Sequence, residues 1–477
     1  MARSPSNFYR LQKMARRNKL AFAAAGAVAA AVIIGLAAST WLYLKERSAL
    51  QRAAAVSELL YQLLGTANRD GLKGSDYSVR QLLDDFSPSV TNQLAGLPDA
   101  EASVRETMGW TYFRLGDLAK AESSLRQAFA LRRSALGPKH PDTLQTQHLV
   151  AFLVFNGLRR REEGERLAYE IWQDRKQALG AEQEDTLTSQ ELYAQALCEK
   201  GDIQQAEAMQ RRIHQLRLRD LGPDHTATLF ALGNLGGTLG ARGAWADAEK
   251  CIQQTLTGLQ RAGFADQEDG FICVKQLAIA RLMQDDPTNA ATLMEEALPR
   301  ARAKLGPDHR VTLHIQRVLG RAYAEERRFV EAEKLSKETL DARRRTRANL
   351  DAIGTGYTEL YLGRALVEQD KLDEAEPILQ DAMTLLREES SAKPELVAQA
   401  ANWLGAIRTA RKAYPEAETQ MLPGSDSFFA AKCVMSPNER RVAVGHIVNL
   451  YEAWGKPEEA AVWQKKLDQL AKNPTKP

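Results

Sequence analysis

The sequence lacks the residue groupings that most enzymes and metal proteins need. Its four cysteines (Cys198, Cys251, Cys273 and Cys433) lie far apart with no CxxC pair, which argues against a zinc module. They read as buried apolar side chains, and they do not identify a redox compartment. No GxxxxGK[ST] and no HExxH occurs. A kinase core would need a Gly-rich phosphate loop, a strand lysine, a catalytic-loop Asp and a metal-binding Asp, and none is present. "GNLGGTLG" (233–240) has the glycines of a phosphate loop, but no strand pattern precedes it. Acid pairs such as Glu162-Glu163 and Glu458-Glu459 fall on polar helix faces, not in a convergent site. The composition implies no cofactor, no metal, no small-molecule substrate and no catalysis. Nor is there an excess of one charge. Of a net +3, the acid-free residues 1–19 hold +6, so the remainder is weakly acidic and unsuited to nucleic acid.

Among what is present, periodicity dominates. A small residue followed by Glu or Ala recurs at Ala121, Gly164, Ala206, Ala248, Ala290, Ala332, Ala375, Ala417 and Ala460, in steps of 42 or 43. A fixed period of that length means stacked supersecondary units. Twelve positions upstream stands glycine in five copies: Gly109, Gly236, Gly320, Gly363 and Gly405. Small residues at both places let two helices of a hairpin cross closely, with larger apolar side chains filling the flanking grooves. Successive hairpins are joined by "LGPKHPDTL" (136–144), "LGAEQEDTL" (179–187), "LGPDHTATL" (221–229) and "LGPDHRVTL" (305–313). Each glycine suits a left-handed position after a helix, and the Asp or Thr beyond can cap the next one. His140, His225 and His309 share one place in this joint, on different repeats, which favours structure over metal binding.

Two stretches depart from regular helix. "ALGNLGGTLGARG" (231–243) holds five glycines, each costing about 1 kcal/mol inside a helix; tight packing explains Gly236 alone, and the remainder suggest a hinge. "LPGSDS" (422–427) breaks the eighth copy, after which Ser436, Pro437 and Glu439 restart a helix with a capping box.

Upstream, Leu20 to Leu44 contains no charged residue and is long enough to span the roughly 30 Å hydrocarbon core. Trp41, Tyr43 and the basic lead predict a transmembrane helix with a cytoplasmic N-terminus and the repeats outside the cytoplasm. The alternative is a signal peptide cleaved near Ala37-Ala38-Ser39, leaving a secreted protein. The expected organisation is a basic cytoplasmic lead (1–19), a transmembrane helix (20–44), juxtamembrane helices with an N-terminal cap (45–97), a superhelix (98–471) and a polar tail (472–477). The fold class is all-α, a single N-terminal transmembrane helix followed by a right-handed α-solenoid of about nine helix hairpins.

Gly109, Tyr112, Ala121, Leu125 and Ala128 resemble the tetratricopeptide pattern position by position, and the period with its "LGPDH" joints is similar to the long kinesin-light-chain type. Tryptophan near the start of the motif is absent from most copies, and the second and fifth are degenerate. The segments 8–22, 57–67 and 450–467 resemble the part of bacterial membrane-bound serine/threonine kinases that follows the catalytic domain, although only nineteen residues precede the apolar run. That resemblance implies one alternative, the sensor and anchor part of a split or truncated kinase system. The leading expectation is a membrane-tethered, non-catalytic scaffold for protein or peptide partners. In the family the first helix of each pair lines the binding surface. The matching positions are Glu106 and Trp110, Glu191 and Gln195, Lys275 and Ile279, Arg317 and Arg321, Leu360 and Arg364, and Asn402 and Ala406. Arg317, Arg321 and Arg364 would form a basic stretch able to take a carboxylate.

Overall fold

The computed structural model describes residues 78–345, 352–388, 394–430 and 433–472. These residues form nineteen α-helices. The chain divides into two compact units, Met1–Arg160 and Arg161–Pro477.

In the first unit, α1 (Val79–Gln93) opens with a capping box between Ser78 and Gln81 and buries Phe86 and Val90. Helices α2 (Pro98–Arg114) and α3 (Leu118–Leu136) pack as a hairpin, and α4 (Pro141–Phe152) follows. A π-helical turn, Leu153–Gly157, then closes the unit.

The second unit runs through α5 (Arg161–Leu179), α6 (Glu184–Lys200), α7 (Ile203–Leu221), α8 (Thr226–Ala241), α9 (Trp245–Arg261), α10 (Glu268–Leu282) and α11 (Pro287–Leu305). It continues with α12 (Arg310–Glu325), α13 (Phe329–Arg345), α14 (Ala352–Val367), α15 (Leu372–Glu388), α16 (Pro394–Ala410), α17 (Tyr414–Met421), α18 (Pro437–Trp454) and α19 (Pro457–Lys472). Each helix packs on the next. In addition, α12, α14, α16 and α18 touch the first helix of the neighbouring hairpin, whereas the second helices make no comparable contact with one another. The first helices therefore form the inner side of this unit.

The small-residue register is the packing device. Ala206, Ala248, Ala290, Ala332, Ala375 and Ala417 are buried to within 1% of full coverage. Opposite them, a Cβ built on Gly363 would stand 2.4 Å from the Leu379 side chain, so only glycine admits that leucine. The same crossing explains most of the glycine-rich helix. Gly233, Gly236 and Gly240 in α8 face Thr255, Ile252 and Trp245 at 3.3, 2.8 and 2.7 Å from a built Cβ, and Gly243 sits at φ +89° in the turn beyond. Close packing, which the hinge reading granted only to Gly236, accounts for three of the five.

At the joints Gly137, Gly222 and Gly306 have positive φ, but ψ lies between 156° and 172°. That is the extended positive-φ region, essentially open to glycine alone, and not the left-handed helical cap the sequence suggests. The cap of the following helix is also different from the expected Asp or Thr. His140, His225 and His309 are the N-caps, and each Nδ1 accepts the backbone N–H two residues on at 3.2–3.3 Å. The extended backbone at each histidine, φ near −70° and ψ near 137°, turns the ring back over the first helical turn. A second recurring feature is a buried arginine near the end of the second helix. Arg132 donates to the Asp142 carbonyl and to Thr146, and Arg175 donates to the Asp185 carbonyl and to Ser189, tying each helix to the start of the next.

No helix among the described residues is long and apolar enough to cross a membrane. The described nineteen-residue helices carry charges throughout, and α8, which carries none, has 16 residues or about 24 Å against a core of about 30 Å. The expected transmembrane helix at 20–44 finds no support in this structure, nor does the single-pass localisation with a cytoplasmic N-terminus and an extracytoplasmic array, and both are corrected. Residues 1–77, which include that apolar run, lie outside the described residues.

Candidate functional site

The inner face of the second unit is the candidate site, and its first helices place the residues singled out from the sequence in three different situations. In α6, Glu191 is half-buried and its Oε2 lies 2.9 Å from Arg217 Nη1, while Asn234 Nδ2 donates to its other oxygen at 3.1 Å. Burial raises its carboxyl above the usual range, opposed by the Arg217 charge. Gln195, one turn on, is half-buried. Glu106 and Trp110 belong to the first unit. There Glu106 accepts from Arg132 and from Thr146 Oγ1, both at 2.6 Å, and Trp110 packs on Phe113 and Phe152. Neither acid is free to hold a partner.

Lys275 on α10 and Arg317 on α12 are the second kind. Both are half-buried, with no ion pair to a carboxylate among the described residues. Burial first, then the charges of Arg317 and Arg310, bring the Lys275 amine down to about 8. The Arg317 guanidinium stands 4.8 Å from the centre of the Tyr357 ring. Ile279 is half-buried, while Leu360 is fully buried and belongs to the core.

Arg321, Arg364 and Asn402 are the third kind, already engaged by the chain itself. The eighth copy's second helix stops at Met421, and a short 3-10 turn, Ser425–Phe429, carries the chain on with Phe428 fully buried. At Cys433–Ser436 it runs against the first helices. Val434 donates its N–H to Glu395 at 3.3 Å and accepts at its carbonyl from Arg321 Nη2 at 3.3 Å. Ser436 and Glu439 then form the capping box that starts α18.

That box is bound from below. Arg321 Nη2 donates to Glu439 Oε2 at 2.7 Å, and Ser436 Oγ donates to Glu325 Oε2 at 2.7 Å. Arg364 Nη1 lies 4.0 Å from Glu439 Oε1, and its Nη2 donates to the Ala324 carbonyl at 3.0 Å. Burial, followed by the Glu439 charge, pushes the Glu325 carboxyl up to about 7 despite Arg321 and Arg364. Further along, Asn402 Nδ2 donates to the Ala443 carbonyl at 2.9 Å, leaving its oxygen to accept from His446 Nδ1 at 2.8 Å. Burial, with Arg364 adding, holds that imidazole down to about 4. Ala406 packs at the edge of the same cluster. Farther along, Arg441 Nη2 meets both oxygens of Asp285, at 2.8 and 3.0 Å.

Glu325, Glu439, Ser436, His446 and Asp285 were not among the residues chosen from the sequence. The capping box was legible, but Glu439 meets its partner 118 residues away, a separation without a local signal.

The family described as Tetratricopeptide repeat matches residues 175–261 and 271–345, and a second tetratricopeptide model matches 102–142. No curated protein matches the sequence. Among solved structures, a Rap protein complexed with Competence and Sporulation Factor is 11% identical, with a TM-score of 0.55, covering 78% of this chain and 98% of that one. The apo form of RapI is 9% identical, with a TM-score of 0.51 and the same coverages. BtubC (BKLC) from P. vanneervenii is 18% identical, with a TM-score of 0.38, covering 52% of this chain and 92% of its own. Over residues 102–142, 175–261 and 271–345 the helix hairpins of this chain are tetratricopeptide repeats, and the later hairpins repeat the same crossing of a glycine against a large apolar side chain, as at Gly363 and Leu379.

Proposed function

We propose that the chain is a non-catalytic scaffold whose inner wall captures protein or peptide partners through their acidic residues. The observation that carries this reading is the pair of half-buried cations Lys275 and Arg317, without a carboxylate on them among the described residues. They lie on the same wall whose next arginine, Arg321, already holds a buried carboxylate. Cations left partly desolvated and unneutralised raise the free energy of the empty wall, and an incoming carboxylate relieves it. The Rap protein of similar fold is known in complex with Competence and Sporulation Factor, a precedent for ligand capture by this architecture.

The test is binding of an acetylated acidic peptide without serine, read by fluorescence anisotropy on the full chain. Lys275→Glu with Arg317→Glu should weaken binding by at least tenfold, and rising salt should weaken it in the parent chain. Affinity unchanged by both would rule the reading out.

A further inference from the structure

We infer that the floor formed by Arg321, Glu325 and Arg364 is a recognition site for a Ser-x-x-Glu helix start, which Ser436–Glu439 fills in cis and for which a partner peptide bearing the same element competes. This rests on the scaffold reading above and names the partner's chemistry. The fit is specific on both sides. Ser436 and Glu439 cap each other, Ser436 N–H donating to Glu439 Oε2 at 2.8 Å and Glu439 N–H donating to Ser436 Oγ at 3.1 Å. What the box has left over is one hydroxyl hydrogen and the carboxylate. The wall supplies the acceptor for the first in Glu325 and the donor for the second in Arg321. All of these side chains are at least nine-tenths buried.

The present occupant does not saturate the site. Glu439 Oε1, Arg364 Nε and Arg364 Nη1 are buried without a hydrogen-bond partner among the described residues. A carboxylate seated closer to Arg364 would satisfy groups that the 4.0 Å approach leaves unmet. The occupant is also delivered by an irregular path, since between Met421 and Pro437 the described chain forms only one five-residue turn. Tethering gives the cis segment an effective concentration in the millimolar range, so a free peptide needs either better contacts or a weakened competitor.

The experiment adds a labelled peptide spanning Met435–Ala443 (MSPNERRVA) to the full chain. Ser436→Ala with Glu439→Gln, which weakens the cis box, should bind it at least tenfold more tightly than the parent. Adding Arg321→Gln to that variant, or replacing the peptide's glutamate by glutamine, should abolish the gain. If the double variant does not fold by circular dichroism, hydrogen exchange on the parent chain decides. Saturating peptide should then speed exchange of the amides at 437–441. A folded double variant binding within threefold of the parent, or unchanged exchange, overturns the inference. If the serine-free acidic peptide still binds through Lys275 and Arg317, only this inference is lost; if both fail, the scaffold reading goes too.

Discussion

Arg321 on α12 and Glu439 in the first turn of α18 are joined by a buried 2.7 Å hydrogen bond across 118 residues of chain. The contact closes the first helices of the later repeats over the start of the last hairpin. It turns cations that look like a ligand surface in the sequence into part of the folded interior.

Removing one side of such a pair leaves the other charge buried and uncompensated. Arg321→Ala should cost about 3–5 kcal/mol in urea unfolding, whereas Arg317→Ala, half-buried and free of ion pairs among the described residues, should cost under about 1 kcal/mol. Equal losses would mean that Arg321 contributes no more than a solvated side chain.

The same cluster should give stability two opposite pH dependences. Glu325 has its carboxyl raised to about 7 from an ordinary 4.5, so the folded state holds a proton the unfolded chain has released. Its contribution is full below about 4.5 and is lost as pH climbs through 7. His446 is held down to about 4 from 6.5, so the unfolded chain takes up the proton first, and its contribution is lost as pH falls from 6.5 through 4. Thermal melts should show Glu325→Gln flattening the decline between pH 5 and 8, and His446→Gln flattening the acid limb. Each effect should amount to about 1–3 kcal/mol. Parent and variant curves running parallel would contradict this.

Crossing distances should rank the glycines. Gly363→Ala forces its Cβ to 2.4 Å from Leu379, while Gly320→Ala meets only Ser336 Oγ at 3.3 Å. The first should destabilise by about 1–3 kcal/mol through overpacking. The second should stay near neutral, because the gain in helix propensity of about 1 kcal/mol offsets the tighter contact. Chemical denaturation of the two variants compares them directly.

The joints offer an independent check. Gly222 lies at φ +84° and ψ 172°, where a side chain is strained, so Gly222→Ala should cost about 1–3 kcal/mol. His225→Ala, which removes the cap on Ala227, should cost about 1 kcal/mol. Calorimetric unfolding that leaves both at the parent midpoint would disprove the assignment of this joint.

Much of the fold is legible because its rules are local or periodic. The spacing of Ala206, Ala248 and Ala332 and the glycines twelve positions before Ala248 and Ala332 fix which faces of each hairpin meet, and Ser436, Pro437 and Glu439 announce their helix start within four residues. The joints are legible as breaks but not in detail. Positive φ at Gly222 follows from its residue type, while its ψ, and the choice of His225 over Thr226 as cap, depend on how the next helix docks. The apolar run at 20–44 carries a strong composition signal, and the described helices provide no membrane-crossing counterpart to it.

The candidate site is the least legible part, since Arg317 and Arg321 are one helical turn apart and indistinguishable by residue type. The sequence by itself determined the helices, their period, the tight crossings and the capping box, because each depends on neighbours in the chain or on a repeated pattern. Only the tertiary structure decided that Arg321 and Arg364 are occupied while Lys275 and Arg317 are not. That outcome depends on where an irregular segment carries Glu439 across the first helices, a long-range electrostatic and packing choice that leaves no trace in any local window.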